Sequence, residues 1–188
     1  MVIYTTKSKL REVILEKLRN QKEESRQRKS SLILSKFFSL SEVKKAAVVL
    51  FYASFDGEVM TFEMIKKALE LGKKIGLPKV NRVKKILEPK VISSFEGDLE
   101  KGQYGILEPV SGRDNAFAAK DIDLVVVPGV AFDKKNYRLG RGQGYYDRFL
   151  SRLPSDIPTI GLAFDFQIID RLPHLHEHDL PVSRVIAN

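Results

Sequence analysis

Apolar residues recur along this chain with two periods. Between residues 6 and 20, Leu10, Val13, Ile14 and Leu18 fall three and four apart, which predicts an amphipathic helix with Thr6 as its N-cap. The stretch 20–29 is almost wholly polar and continues into a second helix with Leu32, Ile33, Phe37 and Phe38 as its apolar face. A short segment, 41–45, leads into AAVVLFYA at 46–53. That run is continuous, short and rich in β-branched residues, the signature of a strand buried on both faces. Residues 61–71 read as a helix opened by Thr61 and closed by Gly72. A second strand follows at 75–80, and the more polar 83–93 reads as an edge strand. Glycines, prolines and polar residues make 95–120 a region of loops. DLVVVPG supplies a third buried strand at 124–127, followed by a long loop over 128–144 and a helix over 145–153 that Pro154 stops. The fourth buried strand is 159–163, with a helix at 166–172 and a short apolar run at Val185 and Ile186 in the tail.

Short apolar strands that alternate with helices predict a single α/β domain over 1–188. It would be a three-layer α/β/α fold with a mostly parallel central sheet, Rossmann-like without a dinucleotide fingerprint. Ligands in such sheets bind beyond the carboxyl ends of the strands. The positions after Ala53, Val127 and Ala163 are therefore the ones to inspect.

Composition narrows the chemistry. With 43% hydrophobic and 30% charged residues over 188 positions, the chain is globular rather than disordered. The absence of cysteine excludes disulfides, thiolate zinc, iron–sulfur clusters and a cysteine nucleophile. No apolar run is long enough to span a bilayer, and the N-terminus lacks the order of a signal peptide, so a cytoplasmic protein without membrane partners is expected. Lysine and arginine total 32 against 24 acids, a net charge of +8. That surplus suits nucleic acid, an anionic surface or a polyanionic small substrate.

Chemistry concentrates in PGVAFDKKNYRLGRGQGYYDR at 128–148. The segment follows a buried strand and precedes a helix. Gly140, Gly142 and Gly144 let backbone N–H groups approach a ligand, and Lys134, Lys135, Arg138, Arg141 and Arg148 supply positive charge. A helix start at Gly144 and Tyr145 adds the dipole's positive end. Asp147 in the first turn offers a hard oxygen for magnesium beside phosphates. As a helix-start carboxylate it would contribute only about 0.3–1 kcal/mol, so its loss should barely affect folding. Neither GxxxxGK[ST] nor GxGxxG occurs here. The competing reading is a flexible, solvated loop.

The same segment resembles the hallmark of the 5-formyltetrahydrofolate cyclo-ligase family: VPGVAFD, a short insert, then RLGRGQGYYD. KSKLR at 7–11, DGEVMT at 56–61 and YGILEP at 104–109 resemble further family segments, so the similarity spans nearly the whole chain. The resemblance implies ATP- and magnesium-dependent conversion of 5-formyltetrahydrofolate to 5,10-methenyltetrahydrofolate. ADP and phosphate would be released, with the formyl oxygen phosphorylated on the way. It implies ATP contacts at Lys7, Lys9, Arg11, Arg138, Leu139, Gly140, Arg141, Gly142, Gln143, Gly144, Tyr145 and Tyr146. It implies folate contacts at Arg11, Ala53, Glu58, Arg141, Gly142, Gln143, Gly144 and Tyr145, with Arg141 and Tyr145 expected at the chemistry and Asp147 and Asp179 at the metal. Three positions depart from the pattern: Asn136 where glycine is frequent, Gln143 in place of a lysine, and Ser183 in place of a second acid after Asp179. Asparagine tolerates left-handed backbone, so the turn can survive.

Other readings stand beside this one. His174, His176 and His178 alternate, as metal ligands on one strand face would, or as surface histidines would. Lys7, Lys9 and Arg11 oppose the helix dipole, which a bound anion would relieve. Glu58 alone is a loop carboxylate. The basic stretch 19–29 suggests a nucleic-acid-binding module, although Glu23 and Glu24 interrupt it and no aromatic RNA-binding motif accompanies it. A sugar-phosphate isomerase or CoA-transferase-like enzyme would share the fold without the ATP chemistry. The expected partner is 5-formyltetrahydrofolate, with or without a polyglutamate tail, acting on a monomer that binds no nucleic acid.

Overall fold

The structure, a computed structural model, describes residues 6–102, 106–110, 116, 118–176 and 179–188. The chain opens with helix α1 (Lys7–Arg19), which the Thr6 hydroxyl caps by accepting from the Lys9 N–H at 3.2 Å. Leu10, Ile14 and Leu18 form its buried stripe. Helix α2 (Glu23–Ser39) starts on two glutamates that suit its dipole and buries Ile33 and Phe37. Leu32, expected on that apolar face, is half exposed instead, because it lies one residue round the helix from Ile33. Helix α3 (Ser41–Lys45) then leads into β1 (Val48–Leu50).

The elements that follow are α4 (Phe62–Glu70), β2 (Lys74–Asn81), β3 (Ile86–Ile92), α5 (Phe95–Asp98), β4 (Leu99–Lys101) and β5 (Leu107–Pro109). The remainder comprises β6 (Leu124–Val127), β7 (Ala131–Asp133), β8 (Arg138–Leu139), α6 (Tyr145–Leu150), β9 (Thr159–Ala163), β10 (Ile168–Ile169) and β11 (Arg184–Ala187). Six strands form the central sheet in the order β11-β9-β6-β1-β2-β3; all pairings are parallel except β2 with β3. Alternate strand residues serve two cores, as the two-residue pleat dictates. Val49, Leu124, Val126 and Ile160 pack with α1, α2 and α4, while Leu50, Val125, Val127 and Ala163 pack with Phe149 and Leu150 of α6. The sheet is thus covered on both faces, and the α/β/α reading holds. Among the described residues, no helix is long and apolar enough to cross a membrane.

Several expected boundaries differ, each for a local reason. The run 46–53 yields only a three-residue strand. Ala46 ends α3, and beyond Phe51 the Thr61 hydroxyl takes over the backbone, donating to the Tyr52 carbonyl at 2.7 Å and accepting from the Ser54 N–H at 3.1 Å. Thr61 therefore pins the strand end and does not cap α4 through its side chain. Gly72 follows α4 with φ +75°, as a helix-terminating glycine does. Region 95–120 is not all loop: it carries α5 and the β4–β5 hairpin. Helix α6 stops at Leu150, short of Leu153. The helix expected at 166–172 is a single 3-10 turn, Asp165–Gln167, followed by β10 on β7. The buried Gln167 side chain accepts from the Phe164 N–H and donates to the Gly129 and Val130 carbonyls at 2.8 and 3.1 Å, tying the ends of β9 and β6 together. The tail run at Val185 and Ile186 is strand β11 at the sheet edge.

Candidate active site

Two backbone devices shape the carboxyl end of the sheet. The first is the turn after β1. Asp56 and Gly57 both adopt left-handed backbone, at φ 50° and 83°, and the Glu58 N–H closes the turn on the Phe55 carbonyl at 3.0 Å. A Cβ at Gly57 would collide with the Leu18 carbonyl, so only glycine lets this turn seat against the last turn of α1. The second is the β7–β8 hairpin, which lies within the long loop expected at 128–144. Buried Asp133 builds it: one carboxylate oxygen accepts from the N–H groups of Lys135 and Tyr137, the other from Leu172. Asn136 sits at φ 64°, filling the left-handed place expected of it.

The hairpin delivers Arg138 inward and Gly140, Gly142 and Gly144 to the surface of the site. Gly142 and Gly144 need positive φ, at 100° and 66°. Arg138 is almost wholly buried and donates from Nη2 to Asp147 Oδ1 at 2.6 Å, with its guanidinium 5.5 Å from the Tyr146 ring. Burial lowers the Arg138 pKa, against the pull of Asp147. Its Nε and the Tyr146 hydroxyl are buried and have no hydrogen-bond partner among the described residues. Orphaned polar atoms inside a protein cost free energy, and here two of them belong to side chains that stack on one another.

Arg141 stands at the centre. Its Nε and Nη2 donate to Glu58 Oε1 at 3.3 and 3.1 Å, its Nη1 donates to Asp56 Oδ2 at 2.9 Å, and the Phe55 ring lies 4.0 Å beneath. Burial pushes the Glu58 carboxyl up to about 7, against the stabilising pull of Arg141 and the Phe55 N–H. Tyr52, its hydroxyl donating to the Val59 carbonyl at 3.4 Å, is raised well above its ordinary value by burial and by Glu58. Tyr146 is raised by burial too.

Helix α1 underlies the whole arrangement. Lys7 donates to Asp179 Oδ2 at 2.6 Å, Arg11 Nε donates to the Gly140 carbonyl at 2.8 Å, and Arg19 grips Asp56 at 2.8 and 3.0 Å. Residues four and eight apart share one flank of a helix, so three cations spread over about 18 Å of α1 reach three parts of the site.

Lys7, Arg11, Glu58, Arg138, Gly140, Arg141, Tyr146, Asp147 and Asp179 are thus drawn into one continuous cluster, and Ala53 is half-buried at the strand end. Lys9 is not drawn in; it pairs with Glu12 on the exposed side of α1. Leu139 is a core residue whose backbone belongs to the hairpin. Tyr145 packs under the Arg148 guanidinium, 5.3 Å away, and exposed Gln143 offers its carbonyl to Arg148 at 3.0 Å. Sequence reasoning did not single out Arg19, Phe55, Asp56 or the turn-building role of Asp133. The FD and DG dipeptides were the available signals, since an aspartate beside glycine or in a strand end is a frequent turn-builder.

His174 lies at a bend and His176 in irregular chain rather than on one strand face, and His178 lies outside the described residues, as do Tyr104 and Gly105 of the YGILEP segment. Among the described residues, no three histidine, cysteine or acidic side chains cluster as a metal cage would require. Magnesium needs less, because one or two carboxylates suffice beside phosphate oxygens. Asp147 Oδ2 takes no hydrogen bond from the described residues, which fits that role. Asp179 fits less freely, since Lys7 and the His176 N–H share its Oδ2.

The model of the 5-formyltetrahydrofolate cyclo-ligase family matches residues 3–188. The 5-formyltetrahydrofolate cyclo-ligase of Mus musculus is 30% identical over 194 residues, covering 99% of this chain and 95% of that protein. The Haemophilus influenzae protein of the same name is 33% identical over 151 residues, covering 79% and 80%. The solved structure of Aquifex aeolicus 5,10-methenyltetrahydrofolate synthetase superposes with a TM-score of 0.83 at 38% identity, covering 96% of this chain and 89% of that one. A Mycoplasma pneumoniae 5,10-methenyltetrahydrofolate synthetase gives 0.77 at 26% identity, covering 96% and 97%.

Proposed function

The chain belongs to the 5-formyltetrahydrofolate cyclo-ligase family, and from that premise we infer how the residues around Arg141 carry the family's reaction. The enzyme converts 5-formyltetrahydrofolate to 5,10-methenyltetrahydrofolate with ATP. In our reading the γ-phosphoryl group passes to the formyl oxygen and ADP departs. N10 then attacks the formyl carbon, and the C–O bond breaks. Phosphate leaves with that oxygen and takes the N10 proton, closing the ring.

Such chemistry needs position and charge neutralisation more than a protein nucleophile. Arg11 and the backbone of Gly140, Gly142 and Gly144 line the phosphate side, with Arg138 and Lys7 adding fixed positive charge. Glu58 lies on the folate side, where a carboxylate can accept from adjacent pterin N–H groups. Tyr145 offers a ring face at the loop end. Magnesium, bound with the nucleotide, would neutralise phosphate charge, with Asp147 and then Asp179 as its carboxylates.

The observation that carries this reading is Arg141. It belongs to the glycine loop yet bonds to the Glu58 turn, so the phosphate side and the carboxylate side adjoin at one guanidinium. The assay is the absorbance of methenyltetrahydrofolate formed from 5-formyltetrahydrofolate. Product is expected only with ATP and magnesium together. Formation without ATP, or none with both present, refutes the reading. Sedimentation with and without substrate checks the monomer, and KM compared for mono- and polyglutamylated folate checks tail preference.

A further inference from the structure

Asp56 lies between two arginines. Its two oxygens accept from Arg19 Nε and Nη2 at 2.8 and 3.0 Å, and Oδ2 also accepts from Arg141 Nη1 at 2.9 Å. Arg19, opposed by burial and joined by Arg141, holds its carboxyl below the usual carboxylate range. Its location is set twice over. The left-handed turn at Asp56 and Gly57 seats on the Leu18 carbonyl, and the neighbouring residue, Arg19, reaches back to the side chain. Arg141 meets anions on two sides: Nε and Nη2 face Glu58, Nη1 faces Asp56, and the Phe55 ring defines its plane.

We propose that Asp56 is a positioning residue for the cyclisation: anchored by Arg19, it holds the Arg141 guanidinium at the junction of the folate and phosphate sides and keeps it from pairing with Glu58 alone. The proposal rests on the folate and ATP reading above. Without the Asp56 charge, Glu58 is the one anion left on Arg141 among the described residues, and their tighter pair competes with the pterin for the same carboxylate. The deficit therefore falls on folate more than on ATP.

Asp56→Asn is the decisive variant. Asparagine keeps the size and accepts left-handed backbone, so the turn is preserved while the charge is removed. Arg19→Ala removes the anchor, and Arg19→Lys keeps its charge without the two-pronged grip. For Asp56→Asn, KM for 5-formyltetrahydrofolate is expected to rise about tenfold and KM for ATP less than about threefold. Arg19→Ala should shift the same constant in the same direction, with Arg19→Lys nearer wild type. The double variant should be no worse than Asp56→Asn alone, because both act through one carboxylate. The pair is partly exposed, so melting should move by only a few degrees. Unchanged kinetic constants with a lowered melting temperature would leave Asp56 a structural ion pair and overturn the proposal, as would equal losses for both substrates. Should Asp56→Asn not fold, the two Arg19 variants carry the test on a side chain that is half exposed. A wild-type protein that makes no methenyl product fails the function reading itself, before any variant is compared.

Discussion

Arg141 and Glu58, 83 residues apart in sequence, meet through two hydrogen bonds of 3.1 and 3.3 Å at the carboxyl end of the sheet. In the proposed reading the pair joins the two halves of the reaction. One partner comes from a glycine loop suited to phosphate, the other from a turn that offers a buried carboxyl group. Its energetics are unusual for an ion pair, because desolvation outweighs the arginine and leaves Glu58 titrating near neutrality.

That balance makes Glu58 visible in pH-dependent measurements. Its pKa moves from 4.5 to about 7 on folding. Between those values the folded protein holds more protons than the unfolded one, so Glu58 lowers stability as pH rises through that window and contributes no further slope above it. The full effect is about 3 kcal/mol. Glu58→Gln should remove this slope, most clearly in melting temperatures compared at pH 5 and 8. Folate affinity should strengthen through the same window in wild type, as the carboxylate forms among Arg141, Asp56, Tyr52 and Tyr146, and stay flat in the variant. ATP affinity should change little. A Glu58→Gln protein that lost ATP binding but kept folate affinity would contradict the assignment.

Asp147→Asn tests the magnesium role, and the structure alters what else it does. The sequence suggests a solvated helix-start carboxylate with little bearing on stability. Asp147 is instead the 2.6 Å partner of a nearly buried Arg138. Removing its charge leaves a buried guanidinium without its hydrogen-bonded anion, at a cost of about 2–3 kcal/mol, less than for a fully buried pair because Asp147 is about one-third exposed and Asp179 still acts on Arg138. Stability and turnover should therefore both fall. Only the metal role also raises the magnesium concentration needed for half-maximal rate, by tenfold or more. Lower turnover at an unchanged magnesium requirement would assign Asp147 to Arg138 alone.

The contrast shows what the sequence can carry. Buried strands such as Leu124–Val127 were legible because their apolar runs are continuous, and the glycine loop because its motif is local. The hairpin within 128–144 was not, because its strands are only three and two residues long and carry no periodic pattern, and because the bond that anchors its turn runs from Asp133 to Leu172, 39 residues away. Strand β11 was missed because its polar Arg184 and short length disguise an edge strand. The basic stretch 19–29 suggested a nucleic-acid surface, yet Arg19, Arg26 and Lys29 pair with Asp56, Glu23 and Asp165. Glu23 is a local partner that the sequence does show, but Asp56 and Asp165, 37 and 136 residues away, leave no periodic trace.

Gly57→Ala should be among the most damaging single-methyl changes in the chain. The residue needs φ 83°, and the added carbon would meet the Leu18 carbonyl. Left-handed strain alone costs about 1–2 kcal/mol, and the collision must also move the turn or the end of α1. Either displacement carries Asp56 and Glu58 with it. A loss of at least about 2 kcal/mol in denaturant unfolding is expected, with weakened folate binding in the folded fraction. Gly72→Ala is the internal comparison, since it has similar φ but nothing within 4 Å of the added carbon. It should show the conformational cost without the collision. Equal losses at both positions would remove the packing argument.

Tyr146→Phe separates structure from chemistry beneath the glycine loop. The Tyr146 hydroxyl is buried, has no hydrogen-bond partner among the described residues, and feels the charges of both Arg138 and Glu58. A buried hydroxyl left unpaired costs about 1–3 kcal/mol, so replacing it by hydrogen should leave stability unchanged or raise it. If the hydroxyl is retained for a bound phosphate or for the reacting formyl group, the same change should lower kcat/KM by about tenfold, which is the worth of one hydrogen bond to a charged group. Stability and activity then move in opposite directions, a pattern that a packing role does not produce. Thermal unfolding and steady-state kinetics on one preparation decide it. A destabilised Tyr146→Phe protein with normal kinetic constants would mean that the hydroxyl has a structural partner in solution, and the ligand role would be withdrawn.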